Sequence, residues 1–142
     1  MSVASNKGNE FWYIDTGATV HLSTSSQSLC NLQSSSILLT SANGNKSQVT
    51  TMGDKSLQSK STLCKLDLKG VLILPSGNKN LVPMIGLCDD FGWRLNMGSK
   101  DAFIYEPKSL KVIANCVRIG DMFALDTSVS HPQILSADSE VL

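Results

Sequence analysis

The feature that most restricts the fold is a succession of short apolar or alternating runs, each cut off by turn-forming residues. The runs are Phe11–Ile14, Ile37–Thr40, Ser47–Met52, Leu63–Leu68, Val71–Leu74, Trp93–Met97, Phe103–Tyr105, Lys111–Ala114 and Met122–Leu125. Between them lie Asp15-Thr16-Gly17, Asn43-Gly44-Asn45, Gly53-Asp54, Lys69-Gly70, Ser76-Gly77-Asn78 and Glu106-Pro107. Runs of this length and pattern make strands, and Gly, Asn and Pro between them make turns, so an all-β barrel or sandwich is expected. The hairpin signal is sharpest at Asn43-Gly44, because an Asn-Gly pair tolerates the positive φ of a tight primed turn. One short helix is expected, opening after Gly86 and running through Leu87-Cys88-Asp89-Asp90-Phe91 to a stop at Gly92.

A chain of 142 residues, 42% hydrophobic and 17% charged, can bury one core and is too short for two ordinary domains. Residues 1–10 read as a flexible leader, 11–127 as the folded domain and 128–142 as a loosely ordered tail. Lys plus Arg and Asp plus Glu each number 12. That balance lacks the basic surplus of a nucleic-acid binder, so no nucleic-acid partner is expected for this domain. No apolar run reaches the length needed to span a bilayer, and the first residues lack a signal-like apolar core, which points to a cytoplasmic protein without a membrane partner. The four cysteines are widely and irregularly spaced and there are two histidines. Neither a disulfide framework nor a zinc site fits that spacing, so the thiols read as ordinary small hydrophobes and no metal or organic cofactor is expected.

The stretch that carries chemistry is Phe11-Trp12-Tyr13-Ile14-Asp15-Thr16-Gly17-Ala18-Thr19-Val20-His21-Leu22. An apolar strand running into Asp-Thr-Gly delivers a carboxylate at a buried strand's end. Gly17 lets the backbone turn and approach a ligand without a Cβ in the way, and the Thr16 hydroxyl can lock the loop. Three residues alone recur by chance, and the plain alternative is a turn after a strand, in which Asp, Thr and Gly are all common.

The segment from Ile14 to Leu22 resembles the active-site stretch of proteases from copia-type (Ty1/copia) retrotransposon polyproteins: an apolar residue, Asp-Thr-Gly-Ala-Thr, then His and Leu. Val71-Leu72-Ile73-Leu74-Pro75 followed by Asn80-Leu81-Val82 is similar to a late strand of that family. Residues from Val112 to Leu125, notably Arg118-Ile119-Gly120-Asp121-Met122, look like the protease-to-integrase connection, so about 100–127 is a candidate connecting segment. The resemblance implies a retropepsin-like fold, a closed β-barrel with a flap hairpin and one short helix, active as a two-fold homodimer. Asp15 would be the single catalytic carboxylate of each chain, supported by Thr16, Gly17 and Ala18. Ala42, Asn43, Gly44 and Asn45 would form the flap over the substrate, with Met52-Gly53-Asp54 as the other candidate for its tip. Ile85 and Gly86, with Met84, would form a second apolar-Gly turn beneath the catalytic loop. Retroviral relatives carry an Arg after that second Gly and an acid in the active-site loop; here Leu87 and Thr19 stand there, both ends of the ion pair being absent together.

Two carboxylates held side by side cannot both ionise cheaply, so they share a proton. The ionised member takes a proton from water while the protonated member donates to the scissile carbonyl. One such Asp per chain requires an identical partner across a two-fold axis. Extended segments of the chain's own polyprotein, cut inside virus-like particles, are the substrates the resemblance implies. The alternative within the same fold is a catalytically silent domain serving dimerisation or peptide binding. His21 reads as a structural hydrogen-bonding residue, Asp89-Asp90 as solvated acids near a helix, and Asp67, Asp101 and Asp121 as surface charges. Trp12 and Trp93 read as core or interface anchors.

Overall fold

The computed structural model describes residues 11–27, 29–40 and 43–127. The expected leader, the expected tail and Ala42 lie outside them. Among the described residues, ten strands and one helix follow in order: β1 (Trp12–Asp15), β2 (Leu22–Ser23), β3 (Cys30–Thr40), β4 (Lys46–Gln58), β5 (Lys65–Ile73), β6 (Asn80–Pro83), α1 (Met84–Phe91), β7 (Arg94–Met97), β8 (Asp101–Glu106), β9 (Lys111–Ile119) and β10 (Met122–Leu125). All ten strands join one sheet in the order β3-β4-β5-β2-β6-β1-β10-β9-β8-β7.

The expectation of a mostly β domain with one short helix matches this architecture, but the closed barrel does not. The sheet has two free edges, β3 and β7, because each pairs with a neighbour on one side only. It is nonetheless strongly curled. Leu57 and Leu66 from one half and Ile104 and Ile113 from the other belong to the same buried cluster as Trp12. Two halves of one sheet can share a core only if the sheet bends round it.

A polar clasp replaces strand pairing where the curl comes together. The turn between β4 and β5 reaches the end of β10. Ser59 bridges to Thr127, the Lys60 N–H donates to the Asp126 carbonyl at 2.8 Å, and the fully buried Ser59 hydroxyl donates to Asp126 Oδ1 at 2.7 Å. Ser61 also donates to the Asp126 carboxylate, and Asn115 Nδ2 donates to Ser61 Oγ at 2.7 Å.

Strand β5 shows how sequence sets burial. Leu66 and Leu68 alternate inward against the outward Lys65, Asp67 and Lys69. The register with β4 then slips between Gly53 and Lys55, and Gly70 takes φ +67°, a left-handed conformation that costs glycine little. Asp54 pins this bulge: its carboxylate accepts from the Gly70 N–H at 3.3 Å and from Asn31 Nδ2 at 3.0 Å and faces Lys69 at 3.6 Å. Beyond the bulge Val71, Leu72 and Ile73 are all buried, because the strand enters the sheet's covered interior.

The interruptions expected at Gly53-Asp54 and Lys69-Gly70 are therefore bulges inside long strands. Met52-Gly53-Asp54 lies within β4 and is no hairpin tip. The β3–β4 turn sits instead at Asn43-Gly44, where Gly44 has φ +89° and Asn43 Oδ1 accepts the Asn45 N–H at 3.1 Å. The helix opens three residues earlier than expected. Pro83 closes β6 in an extended conformation, and Met84, Ile85 and Gly86 form the first turn of α1 rather than a separate turn ahead of it. Gly92 ends α1 in the left-handed region, its N–H bonded to the Cys88 carbonyl at 2.9 Å. The candidate connecting segment, about 100–127, holds β8, β9 and β10 of the same sheet, and β10 pairs directly with β1.

Candidate active site

Strand β6 is threaded between β1 and β2. It runs parallel to β1, with Trp12 opposite Asn80 and Asp15 opposite Pro83, and antiparallel to β2, with Leu22 opposite Leu81. The segment Thr16–His21 thus arches from one side of β6 to the other, and Asp15 sits where the arch begins. Asn80 ties the assembly together. Its Oδ1 accepts the Thr24 N–H at 2.9 Å and the Ser23 hydroxyl at 3.3 Å, and its Nδ2 donates to the Phe11 carbonyl at 3.3 Å.

Within the arch, the Gly17 N–H donates to Asp15 Oδ1 at 2.8 Å. This bond is an Asx-type turn. It fixes the loop, while Thr16 is exposed to solvent. Asp15 itself is half-buried and stands between two cavities. The first, of about 440 Å³, brings Asp15, Gly17 and Ala18 together with Leu39, Thr40 and Ser47, the ends of the β3–β4 hairpin arms. Its apolar remainder includes Val20, Leu22, Leu74 and Leu81. The second, of about 380 Å³, lies on the other side, where Asp15 and Thr16 face Met97, Arg118, Asp121 and Phe123.

The sequence reading expected the hairpin tip to lie over the acid; the residues that share a cavity with Asp15 are those of the hairpin arms. The arms, not Asn43, Gly44 or Asn45, line the cavity with Asp15. Leu39, Thr40 and Ser47 could have been found from the hairpin register, since Leu39 pairs with Ser47. Arg118 and Asp121 stood out in the sequence only as part of the connection-like segment, and they come to face Asp15 only when β10 is laid beside β1. Ile85 and Gly86 line neither cavity; Ile85 is exposed, and Gly86 packs on His21, whose Cε1 would be 3.7 Å from a Cβ at Gly86. This contact, with Leu87 fully buried in the core, holds helix to loop without an ion pair. His21 is buried, with Nδ1 lacking a hydrogen-bond partner among the described residues. Burial lowers its pKa below the ordinary value, and Asp90 works weakly the other way. A neutral imidazole packed under a helix is what these facts describe, rather than the hydrogen-bonded one expected.

Among the described residues no group of three or more His, Cys, Asp or Glu could hold a metal ion, and no helix is long and apolar enough to cross a membrane. The chemistry on offer is one half-buried carboxylate on a rigid loop, facing a mainly apolar cleft bordered by a hairpin. Such a cleft can accept an extended apolar segment of peptide beside the acid.

A family model described as "Pol polyprotein, beta-barrel domain" matches residues 12–91, more than half of the chain. The matched span holds β1 to β6 and α1, and so the whole arch, the hairpin and the first cavity. Comparisons with curated proteins and with solved structures return no match.

Proposed function

Since the chain belongs to the Pol polyprotein β-barrel domain family, we propose that it is one subunit of a retropepsin-like aspartic endopeptidase, of the copia type, that processes a retroelement polyprotein. The observation that carries this reading is the placement of Asp15: a half-buried carboxylate at the end of a central strand, opening onto the cavity that the hairpin arms share. One chain supplies one acid, so the working site takes Asp15 from each of two copies. Their carboxyls share a proton and titrate as a pair.

The substrate is an extended segment of the same polyprotein, lying in the cleft with its backbone against the hairpin, which closes as a flap and excludes water. The ionised Asp15 takes a proton from water as its oxygen attacks the scissile carbonyl. The protonated Asp15 gives its proton to the carbonyl oxygen, producing a neutral tetrahedral diol. Proton return to the departing nitrogen breaks the C–N bond and leaves an acid and an amine. Gly17 and Ala18 form the floor beside the reacting backbone. The reaction requires no metal or cofactor, and it belongs in virus-like particles in the cytoplasm, where the polyprotein is concentrated.

A second reading rests on the Gly17–Asp15 bond. That bond is a structural use of aspartate, and a domain retaining it without chemistry would serve dimerisation or peptide capture. Asp15→Asn separates the two, because the amide oxygen still accepts the Gly17 N–H while the carboxyl chemistry is lost. In a longer precursor, the proteolytic reading expects the Asn variant to fold and to stop self-cleaving, and a statine-type peptide to inhibit the unaltered chain. Unchanged cleavage in the Asn variant would rule the reading out.

A further inference from the structure

We propose that the second cavity beside Asp15 is the seat of a second copy of this chain, held by a reciprocal pair between Arg118 of one copy and Asp121 of the other. The inference rests on the paired-acid reading above and specifies how the pair is assembled. Cross-strand register puts Arg118 opposite Phe123, and Phe123 opposite Ile14. Arg118 therefore projects from the same sheet face as the buried Ile14, at the end where Asp15 stands. Its guanidinium is held there by two backbone carbonyls, Nε donating to Gly120 at 2.9 Å and Nη1 to Ser99 at 2.7 Å. Three of the five N–H groups of a guanidinium are left for a further acceptor.

Asp121, exposed in the β9–β10 turn, borders the same cavity. Yet among the described residues neither Arg118 nor Asp121 takes part in an ion pair, the pair there being Lys69 with Asp54. One fixed cation and one acid on a single mouth, unpaired with each other, suit a two-fold contact, in which residue i meets residue j and j meets i. A small anion would be repelled by Asp121, and a small cation by Arg118. The same cavity is lined by Met97, 57% exposed, and by the half-buried Met122 and Phe123, which provide apolar area for a contact. Asp15 and Thr16 form the wall of this cavity, so a copy seated in it is brought against the acid that needs a partner.

Charge reversal tests the pairing. Concentration-dependent association is followed by analytical ultracentrifugation for the unaltered chain, Arg118→Glu, Asp121→Arg and the double variant, each checked for folding by tryptophan fluorescence. Each single reversal opposes like charges twice across the axis and should raise the dissociation constant roughly tenfold or more, and the double variant should recover most of that loss. Arg118→Glu also releases the Ser99 and Gly120 carbonyls, so Asp121→Arg, which removes no bond among the described residues, decides if the first fails to fold: it alone must weaken association. An unaltered chain that stays monomeric, singles that associate normally, or a double variant as weak as the singles combined overturns the proposal. If association ignores the charges while self-cleavage still depends on Asp15, this interface falls and the proteolytic reading stands; if the swap behaves as expected while cleavage survives Asp15→Asn, the reverse holds.

Discussion

Replacing Asn80 with Ala tests whether the threading of β6 through the arch that carries Asp15 is held by one side chain. Asn80 is 8% exposed, and its amide serves both legs of the arch. The strongest bond lost is the Thr24 N–H at 2.9 Å. The bonds to Ser23 Oγ and to the Phe11 carbonyl, both 3.3 Å, are longer and weaker. Ser23 also keeps a second acceptor, donating to the Ser25 carbonyl at 2.9 Å, so its loss is partly covered. A partly buried amide left without an acceptor costs about 1–3 kcal/mol, and the two longer bonds add several tenths each. The sum is about 1.5–4 kcal/mol, which for a domain of this size lowers Tm by roughly 6–16 °C. Urea unfolding followed by the fluorescence of Trp12, buried at 2% exposure, measures it directly. Asn80→Asp restores the acceptor to Thr24 but places a charge where Nδ2 donated to Phe11, so it should fall between Ala and the unaltered chain only when the carboxyl is protonated at low pH. A loss below about 0.5 kcal/mol for Asn80→Ala, the range of an ordinary surface change, would refute the account of Asn80 as the tie.

Acid should weaken the fold partly through His21. Its pKa is lowered in the folded state, so as pH falls below about 6.5 the unfolded chain takes up the proton first and stability is lost at up to about 1.4 kcal/mol per pH unit until the folded pKa is passed. His21→Gln should show a visibly shallower stability-versus-pH slope over pH 7 to 5, and parallel slopes would contradict this. Gly53→Ala should destabilise by about 1–3 kcal/mol in urea unfolding, because its Cβ would lie 2.8 Å from Leu32 Cδ2 and 2.9 Å from the Cys30 carbonyl oxygen, a backbone atom that cannot swing away. The Cys116 thiol is pushed up to about 12, chiefly by burial and secondarily by the Asp126 charge. In the folded protein it should resist a thiol reagent that labels the exposed Cys30 and Cys88.

The legible parts of the fold were those in which a local rule and the packing agree. Asn43-Gly44 made its turn, Gly92 stopped its helix, and β1, β7, β8 and β10 appeared within a residue or two of the apolar runs that announced them. The missed elements are short or polar for a tertiary reason. β6 is four residues ending in proline, tolerated in the middle of a sheet only because Pro83 is the last residue of the strand. β2 is two residues long and exists through β5 and β6. The first half of β3, Cys30 to Ser36, is mostly polar and almost wholly exposed, because an edge strand buries little. Glycines misled at Gly53 and Gly70, where they mark bulges inside long strands rather than ends. For the site, Asp15 and its loop could be read from one stretch of sequence, since a strand, an acid and a glycine turn are adjacent there. The hairpin arms and the Arg118–Asp121 mouth could not, because they meet Asp15 only through long-range pairing.

The most direct test of the paired acid is a mixing experiment. Unaltered precursor is combined with a cleavage-site-blocked Asp15→Asn chain, allowed to exchange subunits, and its rate of peptide cleavage is measured against the fraction of variant. A site built from two Asp15 carboxyls predicts that equal mixing at fixed total protein leaves about a quarter of the activity, because random pairing in a two-fold dimer makes only that share of fully acid sites. Activity of about half, as when each Asp15 works alone, or about three quarters, as when one Asp15 per dimer suffices under the same random pairing, would contradict the account.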